Sequence, residues 1–300
     1  MNLNNNFESE SHYYRTITGL SEIADRYHVV FCDIWGVIDD GQQLITSAAD
    51  ALACYRKSGG VVVMISNSPA SSSSVLSRLE YIGTPPEAFD NIMTSGEVAL
   101  SLLKQYKSKK IFHIGPSCDH YLFIGLGIDL HQADEADFIV ATGFLDDIEY
   151  PGEDYQELLA TMVARDVEML CANPDIVARC GDSLVYCVGS LARNYESLGG
   201  RVIYVGKPHK EIYDRARELA SSVISPISKK VENRSILAIG DGIPTDAAGA
   251  KAQGLDFLFI TDGIHASEFG ELHNPDLKKV RIKLAQSQIK PVAILPSLLW

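Results

Sequence analysis

The chain has 300 residues, 46% of them hydrophobic, with a formal net charge of −13 and a pI near 5.0. That length supports a large core or two domains. The acidity disfavours nucleic acid and anionic membranes as partners, and an anionic substrate would need a local cation. Along the chain, apolar runs alternate with helical patterns. Residues 29–32 read as a strand, 48–57 as a helix, 61–65 as a strand and 71–81 as a helix started by a Ser run. A short strand at 92–94 and a helix at 97–106 follow. This βαβ rhythm implies a parallel sheet with helices on both faces. Strands at 110–114, 138–141 and 168–171, with helices near 155–164 and 191–198, form a second alternating block. The first rhythm then resumes: strand 202–205, helix 211–221, strand 236–239, helix 246–253 and strand 256–260.

No apolar stretch approaches the roughly 20 residues of a membrane span. Residues 1–11 are polar, lack the apolar core of a secretory signal, and read as a frayed extension. Six scattered cysteines without a CxxC pair point to reduced thiols and a cytoplasmic protein rather than to disulfides or zinc. The eight histidines form no paired metal-binding spacing. The apolar tail 291–300 is too short and too poor in basic residues for a membrane anchor, and is expected to pack on the core or at a subunit contact.

Four stations carry the chemistry, each after a strand. Asp33 opens Asp33-Ile34-Trp35-Gly36-Val37, where open α/β sheets place their sites. A carboxylate there can attack phosphorus and carry the phosphoryl group; alone, it could equally cap a turn. Ser66-Asn67 ends the second strand. Its hydroxyl and neighbouring N–H groups can bond phosphoryl oxygens, although Ser-Asn-Ser-Pro is also ordinary turn chemistry. Lys207 in Gly206-Lys207-Pro208 is a point charge near a strand end, or a solvated surface Lys. Asp241 and Asp246, five apart in Gly240-Asp241-Gly242-Ile243-Pro244-Thr245-Asp246, suit a hard cation such as Mg²⁺. Asp246 could equally cap the next helix, or do both.

In their order, these stations resemble those of the haloacid dehalogenase superfamily: nucleophilic Asp, Ser/Thr, Lys and a terminal acidic pair. Thr94-Ser95-Gly96-Glu97 and Ala172-Asn173-Pro174-Asp175 are similar to segments of its NagD-like, class IIA branch. The resemblance implies a doubly wound α/β core of residues 1–104 and 201–300, with an inserted α/β type-2 cap over 105–200. It implies a Mg²⁺-dependent phosphohydrolase for a small phosphorylated metabolite, with possible dimerisation through the cap. Asp33 would be the nucleophile, with Ser66, Asn67 and Lys207 on the phosphoryl group. Asp33, the Trp35 carbonyl, Asp241 and Asp246 would hold the metal.

Trp35 departs from that pattern, which has a second Asp there as general acid and base. A missing acid/base costs a factor of about 10²–10⁴. Asp39 and Asp40 are the nearby substitutes, though they should lie past the loop crest. Trp35 itself could fill space or stack on a flat substrate. Arg179 and Tyr186 are further residues of the inserted block that could meet a substrate. The competing class is a catalytically weakened or non-enzymatic phosphometabolite-binding protein on the same scaffold. Halide displacement is disfavoured by the intact Asp241/Asp246 pair.

Overall fold

A computed structural model describes residues 14–144, 155–181, 183–224 and 232–300; the polar extension at 1–11 lies outside the described residues. In chain order the strands are β1 (Val29–Asp33), β2 (Val61–Ser66), β3 (Asn91–Thr94), β4 (Ile111–Ile114), β5 (Phe138–Ala141), β6 (Glu168–Cys171) and β7 (Val177–Cys180). They continue as β8 (Ser183–Tyr186), β9 (Arg201–Tyr204), β10 (Ile236–Gly240), β11 (Asp256–Ile260), β12 (Gly270–Glu271), β13 (Asn274–Pro275) and β14 (Ala293–Leu295).

The core sheet is parallel, in the order β14-β11-β10-β1-β2-β3. Its central strands are apolar on both faces because helices cover both. Alternation sorts their side chains into two cores. Val29, Phe31, Val61, Val63, Ile236 and Ala238 enter one apolar cluster. Val30, Cys32, Val62, Met64, Leu237 and Ile239 enter the other. Cys32 is thus a packing residue on the face opposite its neighbour Asp33.

A second parallel sheet, β4-β5-β6-β9, is inserted between β3 and β10. Strand β9 is a correction to the sequence reading, which assigned 202–205 to the resumed core rhythm. It pairs with β6, Leu170 opposite Ile203; the period of a strand does not say which sheet receives it. One face of this sheet has its own core around Ile139, Met169, Leu191 and Tyr195. The other face, through Phe138, Val140 and Leu170, joins the apolar cluster that also holds Val63 and Val98 of the first domain. The two domains therefore share apolar packing.

Helix starts follow local chemistry. Ser71 accepts from the Ser74 N–H at 3.1 Å and begins helix Ser72–Tyr81. Thr94 accepts from the Glu97 N–H at 3.1 Å and begins Ser95–Leu103, two residues earlier than expected. The apolar tail contributes β14, the outer strand beside β11, as well as packing. No helix among the described residues is long and apolar enough to cross a membrane.

Candidate active site

Strands β1, β2 and β10 end side by side, in the register Val29 with Val61 and with Ile236. Their loops deliver Asp33, Asn67, Asp241 and Asp246 to one cavity of about 400 Å³, and the loop after β9 adds Lys207. Lys207 Nζ lies 2.6 Å from Asp33 Oδ1 and 2.7 Å from Asp246 Oδ1, and all three side chains are buried. Oxygens of Asp33, Asp241 and Asp246 come within 4.8 Å of one another. Further bonds fix each carboxylate. Asp33 Oδ1 accepts from Ile34 N–H at 2.7 Å, Asp241 Oδ2 from Ile264 N–H at 2.5 Å, and Asp246 Oδ2 from Gly242 N–H at 3.1 Å.

Asp246 does not cap the following helix. It lies inside a π-helical turn, Ile243–Ala247, that precedes Ala248–Gln253. A π turn places this carboxylate back over the strand end instead of at a helix start. Gly36, at φ +82°, has no room for a side chain, because a Cβ would collide with the Asp241 carboxylate.

The electrostatics are those of an under-compensated anion cluster. Burial, then the neighbouring Asp246, pushes the Asp33 carboxyl well above its usual range, against the pull of Lys207. Burial and Asp246 likewise push Asp241 up to about 7. Burial alone would lower the Lys207 ammonium, but Asp246 and Asp33 outweigh it and hold it well above its ordinary value. Three buried carboxylates face one ammonium, a balance that a divalent cation with oxygen ligands would correct. The donor set fits such an ion: hard oxygens only, without a thiolate or imidazole among them.

The second station divides its labour. Ser66 is fully buried, its Oγ accepts from Ser68 N–H at 3.1 Å, and it is not part of the cavity wall. Asn67 is in the wall and acts as a clamp. Its Oδ1 accepts from Lys207 N–H at 2.6 Å, while its Nδ2 donates to the Lys207 carbonyl at 3.1 Å and to Asp175 Oδ1 at 2.9 Å. The Asn67 side chain is therefore fully engaged, which leaves its main chain for any contact with a phosphoryl oxygen.

Trp35 lines the cavity and is 37% exposed, with the Arg78 guanidinium 6.0 Å from its ring centroid. Neither carboxyl considered as its substitute faces the cavity. Asp39 is fully buried and accepts from Arg78 at 3.0 and 3.2 Å and from Gly41 N–H at 2.8 Å. Asp40 accepts from the N–H groups of Gln42 and Gln43 at 2.9 and 2.8 Å.

The opposite wall comes from the second domain. Strands β7 and β8 form an antiparallel hairpin bonded to the core. Gly181 N–H donates to the Asp40 carbonyl at 2.9 Å, and Arg179 Nη1 donates to the carbonyls of Asp262 and Gly263 at 3.1 and 3.3 Å. Arg179 lines the cavity as expected, whereas Tyr186 does not. Asp175, Glu196, Tyr204, His209 and His265 also line it and were absent from the residues chosen by sequence. The hairpin had a usable signal: two four-residue runs separated by Gly181-Asp182. Asp175 read most simply as part of an Asn-Pro-Asp turn, in a segment that the family resemblance places near the cap's approach to the site.

A haloacid dehalogenase-like hydrolase family matches residues 30–129, and a second, HAD-hydrolase-like family matches residues 204–298. A comparison with curated proteins found no match. Among solved structures, a haloacid dehalogenase-like hydrolase from Brucella suis is 37% identical, with a TM-score of 0.82 over 94% of this chain and 99% of its own. A possible sugar phosphatase from Cytophaga hutchinsonii is 19% identical, with a TM-score of 0.77 over 94% and 98%. NagD from Escherichia coli K-12 is 21% identical, with a TM-score of 0.63 over 90% and 96%. The Asp33, Lys207, Asp241 and Asp246 cluster thus sits on a fold shared with these proteins, and the chain belongs to the haloacid dehalogenase-like hydrolases.

Proposed function

We propose that the protein is a Mg²⁺-dependent phosphohydrolase acting on a small phosphorylated metabolite through an aspartyl-phosphate. The observation that carries the reading is the buried cluster of Asp33, Asp241 and Asp246, with Lys207 bridging Asp33 and Asp246. The possible sugar phosphatase among the structural relatives supports it.

Asp33 is the nucleophile. One carboxylate oxygen forms a bond to phosphorus, and the bond from phosphorus to the ester oxygen breaks. Lys207 can release part of its hold on Asp33 and Asp246 to meet the phosphoryl oxygens, which offer the same charge. The Asn67 main chain lies at the adjacent strand end to assist, and Ser66, buried behind it, holds that turn by accepting from Ser68 N–H. Asp33, the Trp35 carbonyl, Asp241 and Asp246 would hold Mg²⁺, which when bound supplies positive charge for the phosphoryl group. The second domain acts as a cap that limits water entry and selects the substrate. The free cysteines suit a reducing, cytoplasmic setting.

Trp35 favours a second reading, a phosphometabolite-binding protein with little turnover. A panel of phosphate esters with Mg²⁺ separates the two. Turnover that disappears in Asp33→Asn supports the hydrolase, while thermal stabilisation by esters without turnover supports the binding protein.

A further inference from the structure

The chemistry above needs a proton at the departing ester oxygen and a base for the water that clears the aspartyl-phosphate, and Trp35 supplies neither. Because attack by Asp33 is in line, the ester oxygen leaves on the face of phosphorus away from the core strand ends. That face is the cap wall of the cavity. Resting on the hydrolase reading, we propose that Asp175, from the cap segment between β6 and β7, is the proton donor and acceptor that position 35 lacks.

The geometry supports this residue over the others in the wall. Asp175 lines the cavity with Asp33 and Lys207. Its Oδ1 accepts from Asn67 Nδ2 at 2.9 Å. The Asn67 amide cannot be reversed, since its Oδ1 already accepts from Lys207 N–H at 2.6 Å. The donor to Asp175 is therefore fixed, Oδ1 is held as an acceptor, and Oδ2 is left to carry the proton. The same amide ties Asp175 to the loop that positions the phosphoryl-binding ammonium. Gly206, at φ +99°, leaves room for this arrangement: a Cβ there would collide with Ser95 Oγ and meet Asn67 Oδ1 at 2.7 Å and the Pro174 ring, next to Asp175 in the chain, at 3.0 Å.

The other titratable groups of the wall are engaged elsewhere. Glu196 accepts from Tyr204 O–H at 2.7 Å. His265 is paired with Glu268 at 2.6 Å, and burial lowers its pKa. His209 stacks on the Tyr204 ring at 5.6 Å, and burial lowers its pKa too. Asp175 is moved in the useful direction. Burial first, and Asp246 to a lesser extent, raise its carboxyl to about 6, against the pull of Lys207 and the Asn67 bond. The thiols of Cys171 and Cys187 complete its surroundings, and burial holds both up at about 12, neutral.

The step balances without a further reactant. As the phosphorus–oxygen bond breaks, the leaving oxygen takes the Asp175 proton and departs as an alcohol. The Asp175 carboxylate then takes a proton from water as that water's oxygen bonds to phosphorus. Asp33 is released, inorganic phosphate leaves, and Asp175 is again protonated.

The test compares wild type with Asp175→Asn, which keeps an oxygen to accept from Asn67. Both are assayed with Mg²⁺ on p-nitrophenyl phosphate and on an alkyl phosphate such as glycerol phosphate, across pH. The expected result is a fall of about 10²–10⁴-fold on the alkyl ester and a far smaller one on the nitrophenyl ester, whose leaving group departs without a proton. The limb of kcat/KM that falls as pH rises through about 6 should be present in the wild type and absent from the mutant, so the mutant-to-wild-type ratio should rise through that pH; substrate ionisation is common to both proteins and cancels in the ratio. Equal losses on both esters with an unchanged pH profile would show a merely structural Asp175 and overturn the proposal. A wild type inactive on every ester would overturn the hydrolase reading itself, and this inference with it.

Discussion

The two walls of the cavity are built by opposite means. The core wall is rigid and charge-dense: Asp33, Lys207, Asp241 and Asp246 are buried and bonded to one another or to main-chain N–H groups. The cap wall is looser: its lining residues 175–179 are half-buried, and Arg193 and Glu196 beside them are exposed. The first wall stores electrostatic tension that a cation and a phosphoryl group would relieve. The second sets shape and, through Asp175, protons. The difference teaches that the reaction can be assigned to the sheet ends while the substrate is left to the cap.

The largest expected effect falls on the core wall. Lys207→Met leaves Asp33 and Asp246 buried without their counter-charge, and should cost about 3–5 kcal/mol in the metal-free protein. Denaturant unfolding with and without Mg²⁺ checks this, with the metal recovering part of the loss. An unchanged midpoint would show that the carboxylates are already neutral. In the same wall, Asp241→Asn should weaken Mg²⁺ binding at least about tenfold by calorimetry, as a ligand charge is lost.

The cap has its own sensitivity to acid. His113 of β4 is buried and donates to or accepts from Thr142 Oγ1 at 2.9 Å. Burial, helped by His120, lowers its pKa to about 4. Its unfolded form takes up a proton near pH 6.5. Stability from this group is therefore intact above about 6.5 and is lost as pH falls toward 4, by roughly 2–3 kcal/mol. Hydrogen exchange should show the β4 region opening at pH 5 before the core strands, and His113→Gln should flatten that dependence.

Two smaller effects sharpen the assignment of the acid. Trp35→Asp should raise turnover on alkyl phosphates by about tenfold or more, and the gain should be larger in an Asp175→Asn background. Gains of equal size in both backgrounds would mean that the two positions do not share a proton. Asp39→Asn should cost about 1–3 kcal/mol by weakening a bonded buried acceptor, with kcat and its pH dependence unchanged in the folded protein.

Much of the core wall was legible in the sequence. A carboxylate closing an apolar run, as Asp33 does, is a strong mark, because burial there demands a partner. The failures have physical reasons. Strand β9 has the pattern of any buried parallel strand, and pairing with β6 is decided by contacts distant in sequence. Strand β14 is three residues long, too short for its period to show. Asp175 looked like a turn residue because its partner, Asn67, is 108 positions away. The π turn at Asp246 reads as an ordinary helix start until its bonds are known.

Covalent labelling tests the central claim, that Asp33 carries the phosphoryl group in a metal-dependent site, most directly. The wild type and Asp33→Asn are incubated with acetyl phosphate, with Mg²⁺ or with a chelator, quenched in acid and mapped by mass spectrometry. Phosphoryl mass on Asp33 in the wild type with Mg²⁺, and in none of the other three samples, is the predicted result. A label that persists in Asp33→Asn, or that forms equally in chelator, would contradict the account.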